Sequence, residues 1–315
     1  MVNTTTQQTG VTSIDPDMFD DSGPETAWWF IAPAVAMSAL LIALPLTGLL
    51  VISLFDWNLT RSGVMRFVGL GNYVDIFADS NFWHALWVTI RFIAETVAFQ
   101  LIAGIGIALL LSQRLFGMSI IRTLFLAPMM IAPVFTGMIW RLCLSDDFGI
   151  VKYGLQSLGW TRPPLWLADP NFALHTIAVI NAWQWTPFVV LFVMAGLQII
   201  PDDLYEAAHL DGAGSIRTFF SITLPLLTPI LISVLVFRTI DAVKVFDVIY
   251  STTGGGPGTS TETLSYLVYQ QTANFFNLGY GSAIAMVMLM VVALLALALV
   301  AVGSLGGRKE NSEAS

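Results

Sequence analysis

Six runs of apolar residues, at about 29–54, 84–111, 120–143, 173–199, 224–250 and 281–304, constrain this chain more than any other feature. Each is long enough to cross a hydrocarbon core, which takes about 20 apolar residues in a helix. In lipid every backbone N–H and C=O must find its partner within the protein, so runs of this length are read as helices. Composition agrees: 56% of the 315 residues are hydrophobic and only 11% are charged, where soluble domains are about a quarter charged. The expectation is an all-α integral membrane protein with six transmembrane helices in one domain over 29–305.

The ends are polar. Residues 1–28 carry Asp15, Asp17, Asp20, Asp21 and Glu25 before any basic residue, and 1–26 are expected to be disordered, being polar and acidic. They lack the basic start of a cleavable signal peptide, so the first span is expected to stay in the protein. That span holds Pro33 and Pro45, which a packed bundle accommodates as kinks. Trp28, Trp29, Phe55 and Trp57 flank it as interfacial anchors. An even number of spans puts both tails, 1–28 and 306–315, on one side. Arg114, Arg122, Arg217, Arg308 and Lys309 lie on that side against Arg61, Arg66, Lys152 and Arg162 on the other. This bias is too small to orient the chain. The formal net charge of −8 argues against nucleic acid as a partner. A single cysteine, Cys143, allows no intrachain disulfide and fits no metal spacing. His84, His175 and His209 are scattered and give no case for a metal or for catalysis.

Between the fourth and fifth spans, on the side of the tails, stands EAAHLDGAGSIRTFFSITLP at 206–225. Asp202 and Asp203 follow Pro201 and suit a helix start, where carboxylates meet unpaired N–H groups. Residues 204–210 make about two helical turns, and Gly212 can end them in the left-handed conformation. Ser215 is placed to cap a second short helix running through Phe220. The stretch thus describes a helix–glycine–helix knob that leaves the membrane.

This stretch resembles the EAA loop of binding-protein-dependent ABC importer permeases. Glu206, Ala207, Ala208, Gly212, Ile222, Leu224 and Pro225 fall in register with Glu-Ala-Ala, three residues, Gly, nine residues and Ile-x-Leu-Pro. Further motifs resemble the carbohydrate group of that family: Phe67-Val68-Gly69-Leu70-Gly71-Asn72-Tyr73, Trp185-Thr186-Pro187-Phe188, Ala195-Gly196-Leu197-Gln198-Ile199-Ile200-Pro201, Phe246-Asp247-Val248-Ile249-Tyr250 and Thr253-Gly254-Gly255-Gly256-Pro257-Gly258. Together they look like the first of two permeases in maltose-, glycerol-phosphate- and polyol-type importers, over about 28–305. Ile216 departs from the pattern, standing where many relatives carry Trp.

The resemblance implies a type I ABC importer permease fold in the cell (inner) membrane with both termini cytoplasmic. It makes 201–225 the coupling loop, with Glu206, Ala207, Ala208, Asp211, Gly212, Leu224 and Pro225 meeting a cytoplasmic ATPase. The implied partners are a second homologous permease, two ATP-binding cassette subunits, an extracytoplasmic solute-binding protein, and a sugar, oligosaccharide or polyol substrate. The chain has no G-x-x-x-x-G-K-[ST], and its Gly-rich run at 254–258 has no following Lys. So this chain is expected to be no enzyme and to bind no cofactor; ATP and Mg belong on the partner ATPase.

Polar residues inside spans are costly and therefore informative. On the fifth span Arg238, Asp241, Lys244 and Asp247 follow at intervals of three, and on one helix such neighbours can pair. On the fourth, Asn181, Trp183, Gln184, Trp185 and Thr186 precede Pro187. At about 1.5 Å of rise per residue, Trp183 and Asp241 come to nearly the same depth. Asn181, Trp183, Gln184, Arg238, Asp241, Lys244 and Asp247 are therefore the candidate substrate pathway, because amides and indole faces suit a polyhydroxylated ligand. A self-neutralised packing stripe beside a Trp-rich kink is the alternative for the same residues. Arg91 and Glu95 on the second span read as a structural pair, with Gln100 deeper.

A different class of protein, an ion-gradient-driven secondary carrier for a polar solute, could use Glu95, Asp241 and Asp247. It would show internal repeats, which are not evident, and would leave the knob unexplained. An intramembrane enzyme would need a nucleophile–base constellation, and none is present in the sequence.

Overall fold

The computed structural model describes residues 24–61, 64–113 and 117–313. It divides into a unit that ends at Gly48 and a unit that starts at Leu49. Helix α1 (Pro24–Ser53) makes up the described part of the first unit and runs just into the second, keeping Pro33 and Pro45 inside the helix. It begins at Pro24, inside the stretch expected to be disordered; residues 1–23 and Arg114 lie outside the described residues.

In the second unit, strands β1 (Phe55–Asp56) and β2 (Arg66–Phe67) form a small antiparallel ribbon, followed by α2 (Gly71–Ala78). The Phe-Val-Gly-Leu-Gly-Asn-Tyr motif has a physical role here. Gly69 turns the chain at φ +56°, and buried Asn72 donates both amide hydrogens, to the carbonyls of Ser53 (2.7 Å) and Phe55 (2.9 Å). Tyr73 meets the Ser53 hydroxyl at 2.7 Å. The motif thus satisfies carbonyls that a helix end leaves open.

The long helices α3 (Ser80–Leu111) and α7 (Pro170–Leu197) run side by side in the same direction. A Cβ on Gly104 of α3 would lie 2.6 Å from the Val189 side chain, so only glycine permits this approach. Between them come α4 (Met118–Leu126), a 3₁₀ turn (Ala127–Met130), α5 (Pro133–Cys143) and α6 (Ile150–Ser157). The span expected at 120–143 is broken, because its two halves bend by 97°. Ile131 and Ala132 are extended at the break, as the residue before a proline prefers, and Pro133 opens the new helix. The described residues hold five helices able to cross a membrane, or six if the bent pair is one span.

After α7 come α8 (Asp202–Leu210), α9 (Ser215–Thr218), a π turn (Phe219–Thr223) and α10 (Leu224–Val243). The fifth span then breaks, and α11 (Asp247–Thr252), α12 (Leu264–Tyr269), a second π turn (Gln270–Asn274) and α13 (Leu278–Glu313) complete the chain. Helix α13 carries on through most of the stretch expected as a tail, 306–315.

Three apolar clusters hold the second unit together. Phe92, Ile177, Ile180, Val248 and Ile249 join α3, α7 and α11. Ile76, Phe82, Leu264, Leu267 and Ile284 join α2, α3, α12 and α13. Val189, Val193, Leu227 and Val234 join α7 to α10 at the knob end, where Gly196 lets Leu227 and Ile230 approach.

Candidate functional site

Two polar regions stand out, one outside the bundle and one within it. The outer one is the knob. Helix α8 starts directly after Pro201 with Asp202 and Asp203 in its first turn. Its end is closed by backbone alone: the Gly212 N–H donates to the His209 carbonyl at 3.1 Å and the Ala213 N–H to Ala208 at 2.9 Å. Gly212 sits at φ +73°. This pair of bonds is the Schellman closure, which requires the left-handed residue that glycine supplies.

The second half of the knob departs from expectation. Gly214, not Ser215, holds the N-cap position of α9, and no side-chain cap is present. The helix does not stop at Phe220 but widens into the π turn and runs into α10. Pro225 has no N–H to offer the carbonyl one turn back, and the wider turn falls just before it. Tyr205 ties the halves together through the Thr223 hydroxyl at 3.2 Å. Between them lies a concavity of about 350 Å³ lined by Ala207, Ala208, Asp211, Arg217, Ser221 and Ile222. Glu206, Ala207, Asp211, Gly212 and Pro225 are exposed, Leu224 is half-buried and Ala208 is buried. Leu210 and Ile216 are exposed to 88% and 77% and Phe220 to 62%, more than a finished surface normally leaves to large apolar side chains.

The inner region is a polar layer across three helices. Arg238 of α10, 3% exposed, donates from Nε to Gln100 Oε1 of α3 at 2.8 Å and from Nη1 to Asp241 Oδ2 at 2.9 Å. Gln100 passes the chain on to Asn181 of α7 at 3.2 Å. The guanidinium lies 4.8 Å from the centre of the Trp185 ring, so an aromatic face replaces part of the lost hydration. Asn181, Arg238 and Asp241 therefore share one level, through Gln100. The layer is one-sided: Arg238 is sealed, whereas the Asp241 side chain is 47% exposed.

Gln184 and Trp183 are placed elsewhere. Gln184 is fully buried, and its amide donates to the Ile131 carbonyl at 2.7 Å, at the break of the bent span. It satisfies a backbone group that the missing helical turn leaves open. Trp183 packs edge-on against Trp140 of α5 at 5.5 Å. The expected stripe of four charges on one helix is corrected, because α10 ends at Val243. Lys244 caps α10 and Asp247 opens α11, both exposed. Beyond the break, Phe246 stacks on Tyr250 (5.4 Å) and lies tilted at 52° against Tyr269 (5.0 Å), with Tyr250 47% exposed. These aromatic faces were not legible beforehand, since Tyr269 lies far along the chain. Spacing does contain one signal: Asp247 and Tyr250 are three apart on a helix whose other residues are buried.

The chain matches the family model described as "Binding-protein-dependent transport system inner membrane component" over residues 82–305. It is 41% identical over 258 residues to a sulfoquinovosyl glycerol transport system permease protein of Agrobacterium fabrum, covering 82% of this chain and 83% of that one. It is 39% identical over 276 residues to a trehalose/maltose transport system permease protein of Thermococcus litoralis, covering 87% and 92%. Its fold is similar to a chain in the crystal structure of a bacterial ABC transporter involved in the import of alginate, with a TM-score of 0.76, 20% identity and coverage of 88% and 94%.

Proposed function

The chain belongs to the family of binding-protein-dependent transport system inner membrane components, and from that premise we propose that it is the membrane permease of an ATP-driven importer for a sugar, oligosaccharide or polyol. Relatives at 41% and 39% identity over most of their length, named for sulfoquinovosyl glycerol and for trehalose/maltose transport, support the carbohydrate class. The observation that carries the coupling mechanism is the knob. Backbone bonds close it at Gly212, while Glu206, Leu210, Ile216 and Phe220 stay exposed. Such a body transmits force to whatever it docks in. Glu206 offers a carboxylate to a basic partner, and the exposed apolar side chains become buried on contact. The occupant is a separate ATPase subunit, one of two, and the knob and both tails lie in the cytoplasm. A second permease and an extracytoplasmic binding protein complete the assembly.

Within the bundle, Arg238, Gln100 and Asn181 hold a frame that presents Asp241. Asp241, Lys244 and Asp247 flank the break in the fifth span, and exposed Tyr250 follows it. Carboxylates accept directional hydrogen bonds from hydroxyls, an ammonium donates them to hydroxyl oxygens, and a tyrosine face receives C–H groups. We assign substrate contact to Asp241, Lys244, Asp247 and Tyr250, and assign to Gln184, Asn181 and Arg238 the shaping of the pathway. Trp183 contributes to the wall against α5. The test is to purify the importer through this chain. ATPase subunits co-purify with the wild type; Glu206→Lys reverses the charge offered to them, so they are lost while membrane levels hold. Wild-type stoichiometry and uptake in Glu206→Lys would contradict the assignment.

A further inference from the structure

The Arg91–Glu95 pair of α3 gains a third member from α7. His175 Nδ1 meets Glu95 Oε2 at 2.7 Å and His175 Nε2 meets an Arg91 nitrogen at 3.4 Å, while Arg91 and Glu95 themselves stand 3.6 Å apart. The partners assign the hydrogens: the Nδ1–H donates to the carboxylate and Nε2 accepts from the guanidinium. The trio is not sealed, since its side chains are exposed by 43%, 30% and 50% for Arg91, Glu95 and His175. Among the described residues, Nε and Nη1 of Arg91 have no partner in this chain.

The depth of the trio is fixed by the two helices that carry it. From Glu95 to the end of α3 at Leu111 is about 24 Å, and from His175 to the end of α7 at Leu197 about 33 Å, at 1.5 Å per residue. These values bracket the thickness of a hydrocarbon core, about 30 Å. The trio therefore lies at the membrane boundary opposite the knob, at headgroup level. Two apolar grooves diverge from it. One, of about 480 Å³, runs down α3 and α7 past Ala98, Phe99, Ile102 and Ala103, with Ala178 and Val179 forming the far wall. The other, of about 370 Å³, starts at the same His175 and Val179 and runs between α5 and α7 along Phe172, Trp140 and Trp183. The indole N–H groups of Trp140 and Trp166 are unpaired but have no accessible surface, so they add no polarity to that wall. The first groove spans about 12 Å from Glu95 to Ala103, most of the roughly 15 Å depth of one leaflet.

A charged rim of both signs above two apolar grooves matches one kind of molecule. We propose that this face binds a diacyl phospholipid of the leaflet opposite the knob, phosphatidylethanolamine. Its phosphate sits on the free N–H groups of Arg91, its ammonium on Glu95, and one acyl chain lies in each groove. Planar donors recognise phosphate. The carboxylate beside them disfavours a lipid that carries only negative charge. The site is separate from the polar layer and from the knob, and its binding of lipid does not depend on which solute the permease carries.

The test uses the full importer in nanodiscs containing phosphatidylethanolamine with a diazirine on one acyl chain. Labelling is expected at Phe99 and Val179 about tenfold above that at Leu294 of α13, a control position 66% exposed, since a charge-assisted contact is worth about that factor. Arg91→Gln with Glu95→Gln brings Phe99 and Val179 down to the control level. On the wild type alone, unlabelled phosphatidylethanolamine competes about tenfold better than phosphatidylglycerol, which lacks the ammonium. Equal labelling at Phe99 and Leu294, competition indifferent to headgroup, or a Phe99→Cys cross-link to the second permease in place of lipid would each overturn the proposal. Uptake plays no part in these readouts, so their failure leaves the transport function standing.

Discussion

The knob and the polar layer use the same residue types for opposite ends. In the knob, Asp202, Asp203, Glu206, Asp211 and Arg217 all face outward, and the fold is closed by backbone bonds at Gly212 and Ala213. In the layer, Gln100, Asn181 and Arg238 turn inward and side chains do the joining across α3, α7 and α10, as buried Gln184 outside it joins α7 to the bent span. The difference teaches where a mutation acts first. A change on the knob alters what it offers to a partner while the fold persists. A change in the layer disturbs the packing of helices before it reaches the solute.

The largest contrast is expected at Gly212. At φ +73° it has a conformation that proline, held near −65°, cannot adopt. Gly212→Pro unseats the end of α8, so uptake is abolished while the protein remains in the membrane at wild-type level, as uptake and immunoblots of the same cells show. Normal uptake would break the comparison on the knob side.

In the layer, the order of damage follows burial. Arg238 is the sealed member of its ion pair and Asp241 the half-exposed one. Removing Asp241 therefore strands a buried charge, whereas removing Arg238 leaves a carboxylate that water still reaches. Asp241→Ala is expected to destabilise by about 2–3 kcal/mol, somewhat below the range for a fully buried pair. Adding Arg238→Met, an apolar replacement of similar length, recovers most of the loss. Thermal unfolding in detergent checks both; a double variant no better than the single one would mean the pair is not what holds the layer.

Gln184→Ala comes next. It leaves the Ile131 carbonyl at the break unpaired, which is expected to destabilise by about 1–3 kcal/mol. The smallest stability effect belongs to the knob surface. Leu210→Ala and Ile216→Ala are expected within about 0.5 kcal/mol of wild type, because both side chains are exposed within this chain. They weaken ATPase co-purification all the same, and that split between stability and assembly sharpens the comparison.

The knob was legible because its rules are local. A left-handed glycine, a proline without an N–H and carboxylates at a helix start act within a few residues, and only the position of Ser215 and the end of the second helix went astray. The spans were legible from their length. What stayed hidden depends on helix rotation and on breaks. Pro128 and Pro133 flank Ile131 and mark a break, but nothing in that row gives its angle of 97°. Gln184 becomes intelligible only once that bend exposes a carbonyl. The spacing of Arg238, Asp241, Lys244 and Asp247 fits one helix, yet α10 ends after Val243 and divides the set. His175 meets Glu95 eighty positions away, a proximity that follows from packing α7 beside α3.

The central claim, ATP-driven import through the knob, is tested most directly by uptake of a labelled sugar substrate into cells depleted of ATP while the ion gradients are held. The account predicts that uptake stops on depletion, and that with ATP restored it stays absent in Gly212→Pro. Uptake that continues without ATP and collapses when the gradient is discharged would contradict it, and would assign Glu95, Asp241 and Asp247 to an ion-coupled carrier instead.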